Sequence, residues 1–255
     1  MRQVVENQQF AIYDDFLPPE EQKVFWEYLE NADFRQVHVP TVKGAYRIED
    51  GDILLGPQLI WPLVPVEAYL PNWKQLKMPP GYHICPTDTP ADDLLARIRA
   101  VAGEHPSLIG AEMEQWIGII GQPQINPAGS GISWHRDRRT YAGAFVYYAH
   151  PEWNSQWGGE LLIAEPGTAD GFHDVPRAHT FDNSLESKSL LHTGMGTYIA
   201  PKPNRLVLLA GKDPHSVAKV TQSAGHRVRV GFAGFFIHPT YVGDLLKRFQ
   251  RHNDL

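Results

Sequence analysis

Cysteine, positive charge and long apolar runs are all scarce in this chain of 255 residues. Its single cysteine, Cys85, excludes a disulfide within the chain and favours a reducing compartment. Lysine and arginine total 23 against 29 aspartate and glutamate residues, and the net charge of −6 argues against nonspecific nucleic-acid binding. The sequence has no apolar run of the roughly 18 residues that span a membrane, and it starts without a signal-peptide pattern. We therefore expect a cytoplasmic protein with neither nucleic-acid nor membrane partners.

The apolar pattern predicts an α+β fold that is mainly β. Two helices are predicted, one beginning at Pro18 and Pro19 and the other at Thr89 and Pro90, where prolines and a capping residue precede helical spacing. Their apolar faces are Val24, Phe25, Tyr28 and Leu29 in the first, and Leu94, Leu95, Ile98 and Val101 in the second. A last helix is predicted near the end of the chain, with Val242, Leu245, Leu246 and Phe249 on one side.

Short apolar runs separated by turn residues recur from about residue 113 to residue 238. This pattern is typical of a many-stranded antiparallel barrel or sandwich. The predicted strands are Phe10–Tyr13, Trp116–Ile120, Ala144–Tyr148, Glu160–Ala164, Thr197–Ala200, Leu206–Ala210, Ser216–Val220 and Val228–Phe236. No linker divides the chain, so we expect one domain over residues 1–255 with its β core at about 113–238.

A His-x-Asp pair, His135 and Asp137, is a candidate for binding a metal. In a strand, residues two apart lie on one face, so the imidazole and the carboxylate would be directed at one point. His215 follows a predicted strand and a turn, and it is the candidate third ligand. Two histidines and one carboxylate are the ligands of non-haem iron(II) oxygenases. With 12 histidines in the chain, the pair alone is a weak signal, and a hydrogen-bonded surface pair is the alternative.

Arg227 and Arg229 alternate with valines. If this segment is a strand, both guanidinium groups lie on one face. Facing the interior, they would need an anionic ligand, because a buried charge without a partner is costly and a guanidinium group matches a carboxylate. The alternative is that both lie on a solvated outer face.

Several segments follow one another in an order that points to a known family. They are residues 126–137 (Asn-Pro-Ala-Gly-Ser-Gly-Ile-Ser-Trp-His-Arg-Asp), Phe145–Tyr148, Trp157–Leu161, Asn204–Leu209 and Gly225–Arg227. The chain resembles the 2-oxoglutarate- and iron(II)-dependent oxygenases, especially the branch similar to prolyl 4-hydroxylases, most strongly over about residues 115–236. The resemblance implies a double-stranded β-helix, or jelly-roll, core flanked by N-terminal and C-terminal helices.

The resemblance also implies cofactors and their ligands. Iron(II) would be held by His135, Asp137 and His215, with 2-oxoglutarate and O₂ as co-substrates and ascorbate as a candidate auxiliary reductant. Arg227 is the preferred residue for the far carboxylate of 2-oxoglutarate, because it completes a Gly-x-Arg pattern. Arg229 is the alternative, or a contact for the substrate.

One departure from the family pattern concerns a second group that holds 2-oxoglutarate. Many relatives carry a tyrosine about ten residues before the first histidine, where this chain has Ile125 and Asn126. We expect Gln124 or Tyr147 to supply the donor instead.

The implied reaction is hydroxylation of an unactivated C–H bond, because Asp137 stands where related halogenases carry glycine or alanine. Desaturation and ring closure are alternatives. Basic residues expected near the mouth of the site favour a small anionic or zwitterionic substrate, such as an amino acid or its derivative. These residues are Arg136, Arg138, Arg139, Arg177 and Lys188. A long polar insertion at residues 165–195 is a candidate lid or specificity element, with a disordered surface segment as the alternative.

Three other functions compete with this interpretation. A prolyl peptide is the next substrate class. A non-oxidative metal protein of the cupin type would keep the metal ligands without needing Arg227. A binding module with a degenerate site would have lost metal affinity.

Overall fold

The computed structural model describes residues 1–36, 50–65, 67, 80–137, 140–168, 190–192 and 194–241. Within these ranges lie three α-helices: α1 (Pro19–Glu30), α2 (Pro90–Gly103) and α3 (Pro106–Ile109). None of the helices in these ranges is both long and apolar enough to cross a membrane. The strands, in chain order, are β1 (Arg2–Glu6), β2 (Phe10–Asp14), β3 (Arg35–Gln36), β4 (Leu54–Leu55), β5 (Gln58–Pro62), β6 (Tyr82–Ile84), β7 (Gly118–Asn126), β8 (Ile132–His135), β9 (Tyr141–Tyr148), β10 (Leu161–Ala164), β11 (Gly196–Ile199), β12 (Leu206–Leu209), β13 (His215–Val217) and β14 (Arg229–Ile237).

The strands form two sheets. The larger sheet runs β1-β2-β12-β9-β14-β7-β4-β3, and β5 joins it at β7 and carries β6. The smaller sheet runs β11-β10-β13-β8. Apart from the parallel β5–β6 pair, the paired strands are antiparallel. Two packed antiparallel sheets of this kind are the architecture of a jelly roll.

One face of the larger sheet packs against the smaller sheet and forms the barrel interior. Its apolar cluster joins Val146 and Tyr148 of β9 to Leu161 and Ile163 of β10. Tyr148 lies opposite Gly231 of β14 in the sheet. Side chains two apart in a strand share a face, so Arg229 enters the same interior.

The opposite face of the larger sheet is covered by helices α1 and α2. Phe25 of α1 packs edge-on against Tyr147 and Phe232, with ring centres 5.8 Å apart in both pairs. The buried face of α2 adds Leu94, Leu95, Ile98 and Val101 to the same core. Burying aliphatic side chains of this size contributes roughly 1.5–3 kcal/mol each, so this layer holds the sheet against the helices and supports the barrel from outside.

The two predicted N-terminal helices are confirmed, with one correction. Phe25 and Leu29 of α1 are buried as predicted, but Val24 is 49% exposed, one position off the apolar face. The predicted C-terminal helix at Val242–Phe249 lies outside the described residues.

The mainly β core is also confirmed, with different boundaries. Strand β7 continues to Asn126, six residues past its predicted end, because its alternating glutamines concealed the second half. The predicted core at 113–238 omits β2, which pairs with β12 inside the larger sheet. Strand β1 was not predicted; it is exposed throughout and adds only an edge to β2.

Candidate metal centre

The three predicted ligands meet where β8 and β13 pair. His135 ends β8, His215 begins β13, and the two residues are directly opposite in the sheet. One potential ligand atom from each of His135, Asp137 and His215 lies within 4.8 Å of the others. The two imidazole centres are 4.4 Å apart, and His215 Nε2 lies 3.7 Å from Asp137 Oδ2. This is the spacing of groups that could share one cation.

The route by which Asp137 reaches this point differs from the prediction. Alternation within a strand was expected to place His135 and Asp137 on one face, but β8 ends at His135. Asp137 therefore joins the cluster from the segment that follows the strand.

Hydrogen bonds to the backbone orient both imidazole rings. His135 Nδ1 donates to the Ser133 carbonyl oxygen at 2.8 Å, and His215 Nδ1 donates to the Asp213 carbonyl oxygen at 3.1 Å. A neutral imidazole that donates through Nδ1 keeps its lone pair on Nε2. Histidines that bind metals usually have their second nitrogen engaged in this way. In this tautomer, Nε2 of each ring carries the lone pair that a cation would bind.

The Asp137 carboxylate also fits a cation. Its side chain is only 7% exposed, and Oδ2 is buried with no hydrogen-bond partner among the residues that the structure describes. Burial raises the pKa of Asp137, and the neighbouring His215 opposes this rise. Gly211, with φ of +67°, lies beside it; a Cβ there would be 3.1 Å from Asp137 Oδ2. A buried carboxylate is costly unless a counter-charge accompanies it, and a bound divalent ion would supply one.

A second polar cluster lies in the barrel interior around Arg229, which is 2% exposed. Arg229 Nη1 donates to Asn126 Oδ1 at 3.1 Å, and its guanidinium carbon lies 5.0 Å from the centre of the Tyr148 ring. Three buried groups have no hydrogen-bond partner within the described ranges of the chain: Arg229 Nε, Asn126 Nδ2 and the Tyr148 hydroxyl. Buried donors are almost always satisfied in folded proteins. One unsatisfied donor on the guanidinium group and two beside it make a pocket suited to a carboxylate.

Glycine and histidine hold Arg229 in this pocket. Gly159 has φ of +77°, and a Cβ there would lie 2.7 Å from Arg229 Cδ, so the turn accommodates only glycine. His150 is 1% exposed; it accepts a hydrogen bond from the Val230 N–H and donates through Nε2 to the Pro201 carbonyl. Burial lowers the pKa of His150 to about 4, and the charge of Arg229 contributes to this lowering. His150 is therefore neutral at neutral pH.

Arg227 lies at the surface, outside this pocket. Its side chain is 42% exposed, its Nε donates to Glu152 at 2.6 Å, and its guanidinium carbon lies 4.9 Å from the centre of the Trp157 ring. Strand β14 begins only at Arg229, and the Arg227 N–H bonds the Ala224 carbonyl of the preceding 3₁₀ turn. The prediction that both arginines share one strand face is therefore wrong.

The two other candidate donors also differ in position. Tyr147 faces the helices, and its hydroxyl donates to Asn204 Oδ1 at 3.0 Å. Its neighbour Tyr148 reaches the interior instead, on the same face of β9 as Val146, and was not among the predicted site residues. Gln124 is half-buried and lies opposite Gly231, on the strand that also supplies Asn126.

Comparison with known proteins indicates which protein family the chain resembles. The family model for the 2OG-Fe(II) oxygenase superfamily matches residues 122–237, a range that contains all three candidate ligands, Asn126 and Arg229. A search of curated proteins gives no significant match.

Two solved structures resemble this fold. A prolyl-4-hydroxylase from Pseudomonas putida is 17% identical, with 91% of this chain and 94% of that chain aligned and a TM-score of 0.52. A prolyl hydroxylase from Trichoplax adhaerens, solved in complex with a peptide fragment of the hypoxia inducible factor oxygen degradation domain, is 14% identical, with 93% and 87% aligned and a TM-score of 0.53. At this identity the likeness concerns the fold, and it confirms the predicted double-stranded β-helix.

The family match and the fold agree with the chemistry of the residues that the barrel encloses. On these grounds residues 122–237 resemble the 2OG-Fe(II) oxygenase superfamily, and the match supports an iron(II)- and 2-oxoglutarate-dependent dioxygenase.

Proposed function

We propose that this enzyme hydroxylates an unactivated C–H bond of a small molecule, an amino acid or an amino-acid derivative. In this proposal His135, Asp137 and His215 bind iron(II), and Arg229 binds the far carboxylate of 2-oxoglutarate. The observation that carries it is the pair of buried, unsatisfied polar groups in one barrel: the Asp137 carboxylate and the donors around Arg229.

These three residues are the two-histidine, one-carboxylate set that holds iron(II) in non-haem oxygenases, and they would hold the ion here. Bound there, iron(II) together with 2-oxoglutarate and O₂ would supply the oxidising power for hydroxylation. The protein's part is to orient these groups: the backbone bonds to both Nδ1 atoms fix the imidazole rings, and Gly211 keeps room beside Asp137. A protein carboxylate at the third position favours hydroxylation over halogenation.

Arg229 is buried, and the chemistry of its guanidinium group suits the far carboxylate of 2-oxoglutarate. A guanidinium group can donate two parallel hydrogen bonds to a carboxylate. The free Asn126 Nδ2 and Tyr148 hydroxyl would add donors, and the barrel interior keeps water from competing with them. Arg227, with its own acidic partner at the surface, has no comparable need of an anion.

The substrate class rests on charge near the ligands. Arg136 lies between His135 and Asp137 in the chain and is half-buried, which favours a substrate with a carboxylate. The other basic residues expected at the mouth, Arg138, Arg139, Arg177 and Lys188, lie outside the described residues. A prolyl peptide is the second candidate, favoured by the likeness to a prolyl hydroxylase solved with a peptide.

A turnover screen tests the proposal. The purified iron(II)-loaded protein is incubated with 2-oxoglutarate and O₂ plus free amino acids, amino-acid conjugates or prolyl peptides, and succinate and hydroxylated product are measured. We expect coupled succinate and product with a member of the first two groups. Turnover with peptides alone would reassign the substrate, and succinate in no arm would count against the oxygenase proposal.

A further inference from the structure

Asp50 lies just before β4, far from the candidate ligands in sequence, and it is 2% exposed. Its Oδ1 accepts a hydrogen bond from the Ser133 backbone N–H at 2.7 Å and another from the Ser133 hydroxyl. The Asp50 carbonyl oxygen accepts a third bond from the Gly131 N–H at 2.9 Å. The next residue, Gly51, packs so closely that a Cβ there would lie 3.0 Å from the Gly129 carbonyl oxygen. Asp50 is therefore seated on the segment that leads into β8.

Ser133 connects this contact to the metal centre. Its N–H and hydroxyl are held by Asp50, and its carbonyl oxygen accepts the bond from His135 Nδ1 at 2.8 Å. The position of that carbonyl fixes the rotation of the imidazole and so the direction of Nε2. A shift of Ser133 would turn His135 away from Asp137 and His215.

The second histidine is oriented by the same kind of arrangement. The carbonyl of Asp213, two residues before His215, accepts the bond from His215 Nδ1 at 3.1 Å. The Asp213 carboxylate is itself anchored, by Gln9 Nε2 at 2.8 Å and by the Gly167 N–H at 3.3 Å. In both cases a carboxylate immobilises the residue whose carbonyl orients the ring. The Asp50 carboxylate fixes the carbonyl that orients His135, just as the Asp213 carboxylate fixes the carbonyl that orients His215.

We propose that Asp50 is a positioning residue for the metal centre, acting on His135 through Ser133. This role rests on the proposed function, because it requires that His135 bind the ion. Groups behind the ligands of a metal site typically change affinity or activity by about 10–100-fold when they are removed.

The test measures metal binding and fold stability separately. Manganese(II) binding to the full chain is followed by calorimetry and by its electron paramagnetic resonance spectrum, and thermal unfolding is recorded without metal. The variants are Asp50→Ala, Asp50→Asn and Ser133→Ala. Asp14→Asn is the matched control, because Asp14 is equally buried, at 3%, and hydrogen-bonded to Arg205 and Lys202 rather than near the ligands.

We expect Asp50→Ala to weaken manganese(II) binding by about 10–100-fold and to alter the spectrum at saturation. Asp50→Asn and Ser133→Ala keep part of the contact and should lose less than about 10-fold. The control should unfold at a lower temperature with unchanged affinity. Wild-type affinity and spectrum in folded Asp50→Ala would overturn the role of Asp50; if that variant fails to fold, wild-type affinity in both milder variants would do so. A wild-type protein that binds no manganese(II) would instead overturn the metal site itself.

Discussion

Two buried polar regions of this enzyme differ in how far their hydrogen bonds are satisfied. At one edge of the larger sheet, the Asp14 carboxylate accepts bonds from Arg205 at 2.7 Å and Lys202 at 2.8 Å. Burial alone would raise the pKa of Asp14, but the bonds from Arg205 and Lys202 outweigh it and lower the pKa. Within the described part of the barrel, by contrast, no hydrogen-bond partner reaches Asp137 Oδ2 or Arg229 Nε.

The difference separates polar groups that serve the fold from polar groups that await a ligand. A buried donor or acceptor left unsatisfied costs about 1–3 kcal/mol, more if it is charged. A protein can retain an unsatisfied buried polar group where a bound ligand satisfies it. The two regions therefore predict opposite responses when a charged group is removed.

The largest effect is expected at Asp137. Asp137→Ala should reduce manganese(II) affinity at least about 100-fold, since it removes one of three ligands. It should also leave the metal-free protein as stable as the wild type, because it removes a carboxylate that burial destabilises. Calorimetry and metal-free thermal unfolding measure the two quantities. Asp14→Ala is the counterpart: we expect it to lower the free energy of unfolding by about 1–3 kcal/mol without changing metal affinity. If Asp137→Ala destabilised the metal-free fold as strongly, the comparison would fail.

His150 should make the stability of the fold depend on pH. Its pKa of about 4 in the folded protein lies below its ordinary 6.5, so the unfolded chain takes up a proton first as the pH falls. Stability should therefore be fully present above pH 6.5 and decline toward pH 4, by at most roughly 3 kcal/mol. His150→Gln, which can still accept from Val230 and donate to Pro201, should remove this part of the pH dependence. Chemical denaturation at several pH values measures it, and equal pH slopes for both proteins would contradict the assignment.

The two arginines offer a sharper version of the comparison. Arg229→Gln should raise the KM for 2-oxoglutarate by about 10–100-fold, the value of one or two hydrogen bonds between charged groups. Arg227→Gln, the matched control two residues away, removes an exposed ion pair worth at most about 1 kcal/mol and should leave this KM within about twofold. The measurement is succinate production against 2-oxoglutarate concentration. The reverse ranking would restore Arg227 as the anchor.

The local sequence was enough to predict the three metal ligands. It could not show which of Arg227 and Arg229 enters the barrel interior. The order along the chain of the segments that contain His135, Asp137 and His215 indicates the oxygenase family without a structure. The arginines are two apart, so alternation assigns both to one face, and only the strand's starting point separates them. That point is determined by the turn at Gln222–Ala224, whose Ala224 carbonyl accepts from the Arg227 N–H.

Other features of the site depend on contacts that no local pattern contains. Strand β9 has apolar side chains on both faces, so no polar alternation indicates whether Tyr147 or Tyr148 points inward, and a shift of one residue exchanges the faces. Asp50 meets Ser133 across 83 residues of chain. The fold class can still be predicted, because it depends on the number and spacing of the strands and not on which face of any one strand points inward.

The smallest effect is expected from two tyrosines that are adjacent in the chain. Tyr148→Phe removes a hydroxyl that has no partner in the described structure, so it should not lower stability; it should raise the KM for 2-oxoglutarate by about 3–10-fold, the value of one hydrogen bond. Tyr147→Phe removes a hydroxyl that donates to buried Asn204, so it should cost about 1 kcal/mol of unfolding free energy and leave the KM unchanged. Kinetics and denaturation of both variants test the pair. Because the substitutions are chemically identical, an exchange of the two results would place the inward face of β9 on the other tyrosine and remove Tyr148 from the pocket around Arg229.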